Sequence, residues 1–361
     1  MEENKNLENV SLEKEELVNE NMENTNNTAD NEPLDKNIKL MSPTRMVLRR
    51  FFRSKLSIIG LVMVIGLFIF SFFGPLIYTR WGETTPDSSP LTEYATSEFT
   101  YTINGQTFVV RQSVEKEMSY NSYAPISGDH LLGTDQQGYD IFTRLMYGGR
   151  ISLTVSFLAV FVITLLGVVM GGIAGYFGGW VDNLIMRICD VLMCLPGIPI
   201  LLIISTLLDA AEIDAKYRIY LLMVYLTLFS WPGTARLVRG QILSLREQEY
   251  MVAAEAMGYS TVRKIFKHLV PNVMPQLIVQ MSLSLGSMIL YEATLSYLNL
   301  GVKAPYAAWG TMINIISTNT NILQNHFNVW GAPGICIVIA VLGFNFVGDG
   351  LRDALDPKMR R

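Results

Sequence analysis

The feature that most constrains this chain is a set of long segments that are apolar and nearly free of charge. Residues 56–79 carry no charged side chain over 24 positions. As an α-helix such a segment is about 36 Å long, enough to cross the roughly 30 Å hydrocarbon core of a bilayer. Half of the 361 residues are hydrophobic and 17% are charged, a balance typical of membrane proteins. We therefore predict an all-α integral membrane protein with six transmembrane helices, at residues 56–79, 151–176, 184–208, 219–237, 273–298 and 333–351.

Basic residues near the ends of these segments predict the orientation. They cluster at residues 45–55, 239–267 and 358–361, and the positive-inside rule places such clusters on the cytoplasmic side. Both termini are then cytoplasmic in a multi-pass cell-membrane protein. The predicted regions are an acidic tail (1–44), a basic segment with the first span (45–79), an extracellular insertion (80–149), a core of five further spans (150–353, with a cytoplasmic loop at 239–272) and a cytoplasmic C-terminus (354–361).

The net charge of −4 hides an uneven distribution. Residues 1–40 hold eleven acidic residues against four lysines, so this tail carries −7 and the remainder +3. A segment with so little to bury is predicted to be disordered. It lacks the pattern of a cleavable signal, so we expect the first span to be retained. A solvated tail and a regulator of the cytoplasmic face are both compatible with this composition.

The predicted outer segment contains one strand signal. FTYTI and QTFVV alternate apolar and polar residues around Asn104 and Gly105, a strong hairpin signal. We predict an extracellular β-hairpin there. It could contact a substrate-delivering protein or simply cap the outer mouth.

A polar, basic stretch interrupts the apolar second half at residues 249–271, which we call the elbow. Its first helix, predicted at residues 250–257, is rich in Ala, the strongest helix former. Gly258 is expected to end this helix through a left-handed turn. The sequence thus predicts two short helices at an angle, a shape that a cytoplasmic partner can push.

The second helix of the elbow has its own signals. Ser260 or Thr261 can cap its start, and Pro271 is predicted to end it. Four apolar residues at i, i+3, i+4 and i+7 predict one common face: Val262, Ile265, Phe266 and Leu269.

Within the spans, small residues and prolines predict how helices meet. Glycines recur every fourth position at residues 167, 171, 175 and 179, which predicts a packing seam or, alternatively, a surface lining a pathway. Pro196, Pro199 and Pro232 are expected to mark kinks.

Charged residues inside the spans are the other informative positions, because they are costly in lipid. Glu292 is a candidate for a polar element of a pathway or of an inter-subunit contact, and equally for a structural hydrogen bond to a neighbouring helix. Arg187 is predicted to pair with Asp182 or Asp190 at near-helical spacing. The three cysteines, at 189, 194 and 336, are predicted to be buried, with no disulfide or metal role.

Several chemistries have no signature in the sequence. There is no G-x-x-x-x-G-K-[ST] loop and no Gly followed by Lys. The three histidines, at 130, 268 and 326, are far apart, so a metal or catalytic cluster is not expected. We predict a non-catalytic chain without a cofactor of its own, so any active transport by it must draw energy from another chain or an ion gradient. No nucleic-acid partner is expected.

The elbow resembles the coupling loop, named EAA, of permease subunits of bacterial ABC importers. Ala253, Ala254 and Gly258 match, as does Pro271 thirteen residues beyond the glycine. The Glu that names the motif is replaced by Val252, which leaves open which neighbouring carboxylate meets the ATPase. The resemblance implies ATPase coupling through Glu249, Tyr250, Val252, Ala253, Ala254, Glu255, Gly258, His268 and Pro271.

Further motifs resemble the peptide-type subclass, the "C" permease of oligopeptide or dipeptide importers. His268 stands where Ile is usual in other permeases, and HLLGTDQQGYDIFTRLMYGGRISL, GWVDNLIMRICDVLMCLPG, EATLSYLNLGVKAPYAAWG and FNFVGDGLRDALDPKMR are similar to that subclass. This implies the type I importer permease fold, a second permease, two cytoplasmic ATPases that bind ATP and Mg, an extracytoplasmic peptide-binding protein and a peptide substrate. Import of nickel or another small solute is the alternative within this architecture. A stand-alone secondary transporter and a nonconducting scaffold are the alternatives outside it.

Overall fold

The structure is a computed structural model that describes residues 43–89, 98–103, 106–111, 119–318 and 320–355. Residues 1–42, which make up most of the tail predicted to be disordered, and residues 356–361 at the C-terminus lie outside these ranges. From Val47 onward the described chain forms one compact unit, and residues 43–46 belong to another.

The described part of the chain is mainly helical. Its helices are α1 (Pro43–Phe51), α2 (Lys55–Phe68, extended by a π-helical turn, Ile69–Phe73, and by α3, Gly74–Ile77), α4 (Ile141–Phe177), α5 (Gly179–Cys194), α6 (Gly197–Ala210), α7 (Ala215–Arg246), α8 (Glu249–Ala256), α9 (Thr261–Arg263, extended by a π-helical turn, Lys264–Leu269), α10 (Val270–Tyr297), α11 (Trp309–Thr318), α12 (Thr320–Asn325) and α13 (Phe327–Leu355).

Four helical segments are long and apolar enough to cross a membrane: Lys55–Ile77, Ile141–Phe177, Thr261–Tyr297 and Phe327–Leu355. A fifth is possible if α5 and α6 together make one span. This supports a multi-pass membrane protein. The second span begins ten residues earlier than predicted, because the side chain of Asp140 accepts a hydrogen bond from the Thr143 N–H at 2.8 Å and caps α4.

The kink predicted at Pro196 is confirmed, since residues 184–208, the predicted third span, are divided there into two helices. The chain breaks between Cys194 and Gly197, and α5 and α6 meet at 76°. Pro196 occupies the N-cap of α6, and because it has no N–H it cannot continue the hydrogen bonding of α5. By contrast, α7 runs as one helix through Pro232.

The helices pack in a continuous series. α2 packs on α13, α13 on α10, α10 on α4, and α4 on α7. Glycines of α4 make the last contact close: a Cβ at Gly167 would lie 2.6 Å from the Thr234 side chain, and one at Gly171 would meet the backbone oxygen of Ala235. The predicted glycine seam is therefore found between α4 and α7. Gly179 is not part of it, since it starts the next helix with open space around it.

Two antiparallel strand pairs lie between α3 and α4. β2 (Glu98–Ile103) pairs with β3 (Gln106–Arg111), with Ile103 opposite Gln106. These are the strands of the predicted hairpin, whose turn at residues 104–105 lies outside the described residues. β1 (Ser88–Ser89) pairs with β4 (Ser119–Tyr120).

A buried histidine ties the two ends of this segment together. The ring of His130 stacks on Trp81 with centroids 4.6 Å apart. Its Nδ1 lies 3.0 Å from an Asp140 oxygen and its Nε2 lies 3.3 Å from Asp87. Since Asp140 also caps α4, the segment is anchored directly to a long apolar helix.

Two carboxylates of the segment have perturbed acidity. Burial raises the pKa of Asp135, although Arg144 at 3.0 Å favours its charged form. Burial likewise raises the pKa of Glu83, whose Oε1 accepts a long hydrogen bond from the Ala307 N–H at 3.5 Å. Glu83 thereby connects the segment to the loop before α11.

Candidate functional site: the elbow and the cavities along α10

The first helix of the elbow has one face inside and one outside. Met251 and Ala254 of α8 are buried, and Met251 packs in a cluster with Ile265 and Leu269. Val252 and Ala253 are exposed, Val252 at 63%. Met251 and Ala254 therefore anchor α8 to the rest of the chain, while Val252 and Ala253 lie on its exposed face.

Gly258 forms the predicted left-handed turn. Its φ is 70°, and its N–H donates to the Glu255 carbonyl at 2.9 Å. The next N–H, of Tyr259, reaches back to the Ala254 carbonyl at 3.1 Å. These bonds satisfy carbonyl groups at the end of α8, as expected for a glycine-terminated helix.

The prediction that Pro271 ends the second elbow helix is wrong. Thr261–Tyr297 is one helical segment of 37 residues, in which Pro271 lies in the first turn of α10. Pro271 follows directly on the π-helical turn Lys264–Leu269. A widened turn relieves the clash of a proline ring with the preceding turn, so the helix continues. Ser260 takes the N-cap position, without a side-chain capping bond.

The predicted apolar face of this helix is divided. Ile265 and Leu269 are buried, whereas Val262 and Phe266 are exposed at 65% and 57%. The wider π-helical turn changes the angular spacing that the prediction assumed, so the four residues no longer share one face. Together with Val252 and Met257, the exposed pair gives the elbow an apolar outer surface.

Polar and aromatic side chains brace the elbow internally. Tyr259 stacks on His268 with ring centroids 5.7 Å apart and carries the Arg263 guanidinium 4.2 Å from its centre. Across the turn, Lys264 Nζ lies 3.9 Å from a carboxylate oxygen of the exposed Glu255.

The elbow also contacts the start of α10. The Asn272 side-chain N–H donates to the His268 carbonyl at 2.8 Å and to the Tyr250 hydroxyl at 3.4 Å. Glu249 lies in the first turn of α8, where its negative charge interacts favourably with the positive end of the helix dipole.

The acids of α5 pair with α7, which corrects the predicted pairing with Arg187. Asp182 accepts from Arg239 at 2.5 Å through both carboxylate oxygens, and Asp190 pairs with Arg236. Arg187 is exposed. The packing of α5 against α7 brings Arg239 and Arg236 to these carboxylates. Cys194 is likewise exposed rather than buried, because it lies at the break before α6, while Cys189 is buried and Cys336 half-buried.

Glu292 is held inside the chain. It is 2% exposed, and its two oxygens accept from Ser296 Oγ at 2.7 Å and Ser152 Oγ at 2.9 Å. Ser152 Oγ in turn accepts the Trp309 backbone N–H at 3.3 Å. The carboxylate thus joins α10, α4 and the start of α11, an arrangement that favours the structural hydrogen-bond alternative.

Two cavities lie along α10. A middle cavity of about 330 Å³ is formed by α4, α7 and α10, and an end cavity of about 770 Å³ by the start of α10 and the end of α13. Gln280 lines both. Sequence reasoning did not identify this site, although its signal was present: polar residues recur along α10 at helical spacing. The polar residues of the middle cavity are Thr164, Ser230, Thr234, Gln280, Ser284, Ser287 and Tyr291.

Comparison with known proteins places these features in a family. Residues 164–361 match the model of the binding-protein-dependent transport system inner membrane component, and residues 42–91 match the N-terminal transmembrane domain of oligopeptide transport permease C.

Named relatives match over nearly their whole length. The chain is 37% identical to the dipeptide transport system permease protein DppC of Bacillus subtilis, over 89% of this chain and 88% of that protein. It is 34% identical to the oligopeptide transport system permease protein OppC of the same organism, over 93% and 95%. A solved structure of the MetNI methionine ABC transporter aligns with a TM-score of 0.44 at 19% identity, covering 58% of this chain and 94% of that one. The chain belongs to the family of inner membrane components of binding-protein-dependent transport systems.

Proposed function

We propose that this chain is a permease subunit of an ATP-driven importer that translocates oligopeptides delivered by an extracytoplasmic binding protein. The support is its identity of 34% and 37% to permeases named for oligopeptide and dipeptide transport, over about nine-tenths of the chain. The chain itself would be non-catalytic and would bind no cofactor. ATP and Mg would be bound by two cytoplasmic ATPase subunits, and a second permease would complete the pathway.

The observation that carries this proposal is the continuity between the elbow and the cavities. Thr261–Tyr297 runs without a break from the elbow to Tyr291 in the middle cavity. A force on the elbow would therefore move the cavity wall as one rigid element. Closing of an ATPase pair around ATP would act in this way and alternate the access of the cavity between the two sides of the membrane.

The outer surface of the elbow suits an ATPase partner. Val252, Met257, Val262 and Phe266 are each at least 57% exposed, and apolar side chains grouped at the surface mark contact sites. We assign the coupling role to this surface with Tyr250, Ala253 and the carboxylates Glu249 and Glu255 at its rim. In this contact the apolar side chain of Val252 would take the place of the Glu of the family motif.

The six-span topology, including the type I importer permease fold, is part of the proposal. The four apolar helices would be joined by α7 and by the broken pair α5 and α6. Both termini and the elbow would then be cytoplasmic, and residues 80–149, including the β2–β3 pair, would face outward toward the binding protein. Glu292 would brace α10 against α4 and α11.

Uptake into proteoliposomes tests the proposal. Proteoliposomes that contain the permease and its co-expressed partners, with the binding protein added outside, should accumulate labelled di- to pentapeptides. They should do so only when the lumen, where the ATPases lie, contains ATP. Nickel uptake without peptide uptake would support the small-solute alternative. Peptide uptake by the purified chain alone would support a secondary transporter.

A paired variant tests the elbow in the same system. Val252→Asp puts a charge into the proposed apolar contact and should reduce recovery of the ATPases with the permease by at least tenfold. Val252→Ile keeps the contact apolar and should leave recovery unchanged. Equal recovery with both variants would contradict an ATPase contact at this position.

A further inference from the structure

We propose that one face of α10 is an uncharged hydrogen-bonding track that contacts the main chain of a peptide in transit. This inference rests on the proposed function and adds the chemistry by which the substrate would be held. The track explains how one pathway could pass peptides whose side chains differ in charge.

The face is defined by spacing. Polar residues follow one another on α10 in steps of four, four, four, three and four, which keeps them within one side of a helix with 3.6 residues per turn. At 1.5 Å per residue, the first and last lie about 28 Å apart, close to the thickness of a hydrocarbon core. The track residues are Asn272, Gln276, Gln280, Ser284, Ser287 and Tyr291.

The face is not packed inside this chain. Gln276, Gln280 and Ser287 are exposed, while Leu277, Leu285 and Ile289 on other faces of α10 are buried. Amide side chains turned to lipid would cost several kcal/mol each when unpaired. Because the track lines both the middle and the end cavity, we infer that it faces a water-filled passage.

The track offers hydrogen bonds that the described residues do not use. Within the described part of the chain, the Gln276 side chain and the Tyr291 hydroxyl have no hydrogen-bond partner, and Gln280 reaches only Ser284, at 3.4 Å. Side-chain amides and hydroxyls both donate and accept. They match the N–H and C=O groups that every peptide repeats along its main chain.

The lining is also almost free of charge. Among the described residues that line the two cavities, Arg352 is the single charged one, and it lies at the end of α13. A fixed charge in the passage would attract one class of peptide side chain and repel the other. A neutral lining avoids this discrimination, which leaves selection to the binding protein.

Introduced charge tests the track. Gln280→Lys, Gln280→Glu and the uncharged Gln280→Met are assembled with their partners and compared for uptake of Ala-Lys-Ala, Ala-Ala-Ala and Ala-Glu-Ala. Each uptake rate is divided by the rate of the wild-type complex for the same peptide and the same binding protein, so that the peptide preference of the binding protein cancels. Gln280→Lys should lower uptake of Ala-Lys-Ala at least tenfold more than that of Ala-Glu-Ala, and Gln280→Glu should reverse the order.

Ile278→Lys is the matched control. It lies two residues away on the opposite side of α10 and is 38% exposed, so its charge should not sort the three peptides. Sorting by Ile278→Lys equal to that by Gln280→Lys, or equal loss of all three peptides in Gln280→Lys, overturns the track. If the wild-type complex takes up no peptide at all, the proposed function itself fails, which is a separate result.

A second measurement covers variants that do not assemble. In a chain with its three cysteines replaced by serine, Gln276→Cys and Ser287→Cys should react during turnover at least fivefold faster with a small polar maleimide than Ile278→Cys. Equal labelling of the track cysteines and of Ile278→Cys would identify the face as a lipid contact. Protection of the track cysteines by the second permease in every nucleotide state would identify it as a subunit contact. Either result overturns the inference.

Discussion

The turn at Gly258 gives the sharpest prediction about the elbow. Its φ of 70° lies in the left-handed region, which costs a residue with a Cβ about 1–2 kcal/mol. Among the described residues, apart from the two chain neighbours, no heavy atom lies within 4 Å of the position that a Cβ would take, so Gly258→Ala adds strain without a clash. Gly258→Pro is more severe for two reasons. The proline ring fixes φ at about −65°, and proline lacks the N–H that in Gly258 donates to the Glu255 carbonyl at 2.9 Å.

These differences predict a graded loss of function. A cost of about 1–2 kcal/mol corresponds to roughly 5- to 30-fold in an equilibrium, so Gly258→Ala should reduce ATP-driven peptide uptake but leave it measurable. Gly258→Pro cannot form the turn and should reduce uptake to background. Membrane insertion should be unchanged in both, because the turn lies outside the packed helices.

Proteoliposome uptake, with ATP hydrolysis measured in parallel, checks this prediction. Gly240→Ala is the control, since Gly240 is an exposed glycine of α7 with no Cβ contact within 4 Å and no positive φ. Alanine at a helical position is favourable by up to about 1 kcal/mol, so this variant should transport normally. Normal transport by Gly258→Pro would refute the reasoning that the turn transmits motion.

Three further outcomes are expected from the packing and the charges. Gly171→Val should prevent stable folding, seen as aggregation on size-exclusion chromatography, whereas Gly172→Ala should fold normally because its Cβ would make one ordinary contact at 3.7 Å. Ser152→Ala removes a donor to the buried Glu292 and should lower the free energy of unfolding by about 1–3 kcal/mol, measured in detergent by thermal unfolding and contradicted by an unchanged melting temperature. Because the pKa of Glu83 is raised in the folded chain, its carboxyl contributes stability at a pH below the ordinary pKa of a glutamate, and this contribution is lost as the pH rises through the raised pKa. Glu83→Gln should remove that part of the pH dependence of the melting temperature. Identical plots of melting temperature against pH for both proteins would count against this prediction.

The features predicted correctly from the sequence depend on neighbours along the chain. The turn at Gly258 is closed by the hydrogen bonds from Gly258 to Glu255, three positions back, and from Tyr259 to Ala254, five positions back. The spacing of Gly167 and Gly171 places both on one side of α4. Apolar length indicated where the four membrane-length helices lie, although three of them begin well before the predicted residue. The alternation of apolar and polar residues in FTYTI and QTFVV likewise coincides with the paired strands β2 and β3.

The features that were missed depend on contacts between distant segments. Asp182 pairs with Arg239, 57 residues away, and only the packing of α5 on α7 makes that pair available. The helix passes through Pro271 because a π-helical turn precedes it, and periodicity at 3.6 residues per turn does not reveal such a turn. The role of Glu292 was undecided because the sequence does not show that Ser152, 140 positions away, faces it.

The central claim is that force reaches the membrane helices through the exposed surface of the elbow, and cross-linking tests it most directly. A photoreactive amino acid at Val252, 63% exposed, is compared in the assembled complex with one at Met251, which is 4% exposed. The account predicts capture of an ATPase subunit from position 252, stronger in one nucleotide state than in the other, and little capture from position 251. Capture of the extracytoplasmic binding protein from position 252, or equal capture from both positions, would contradict it.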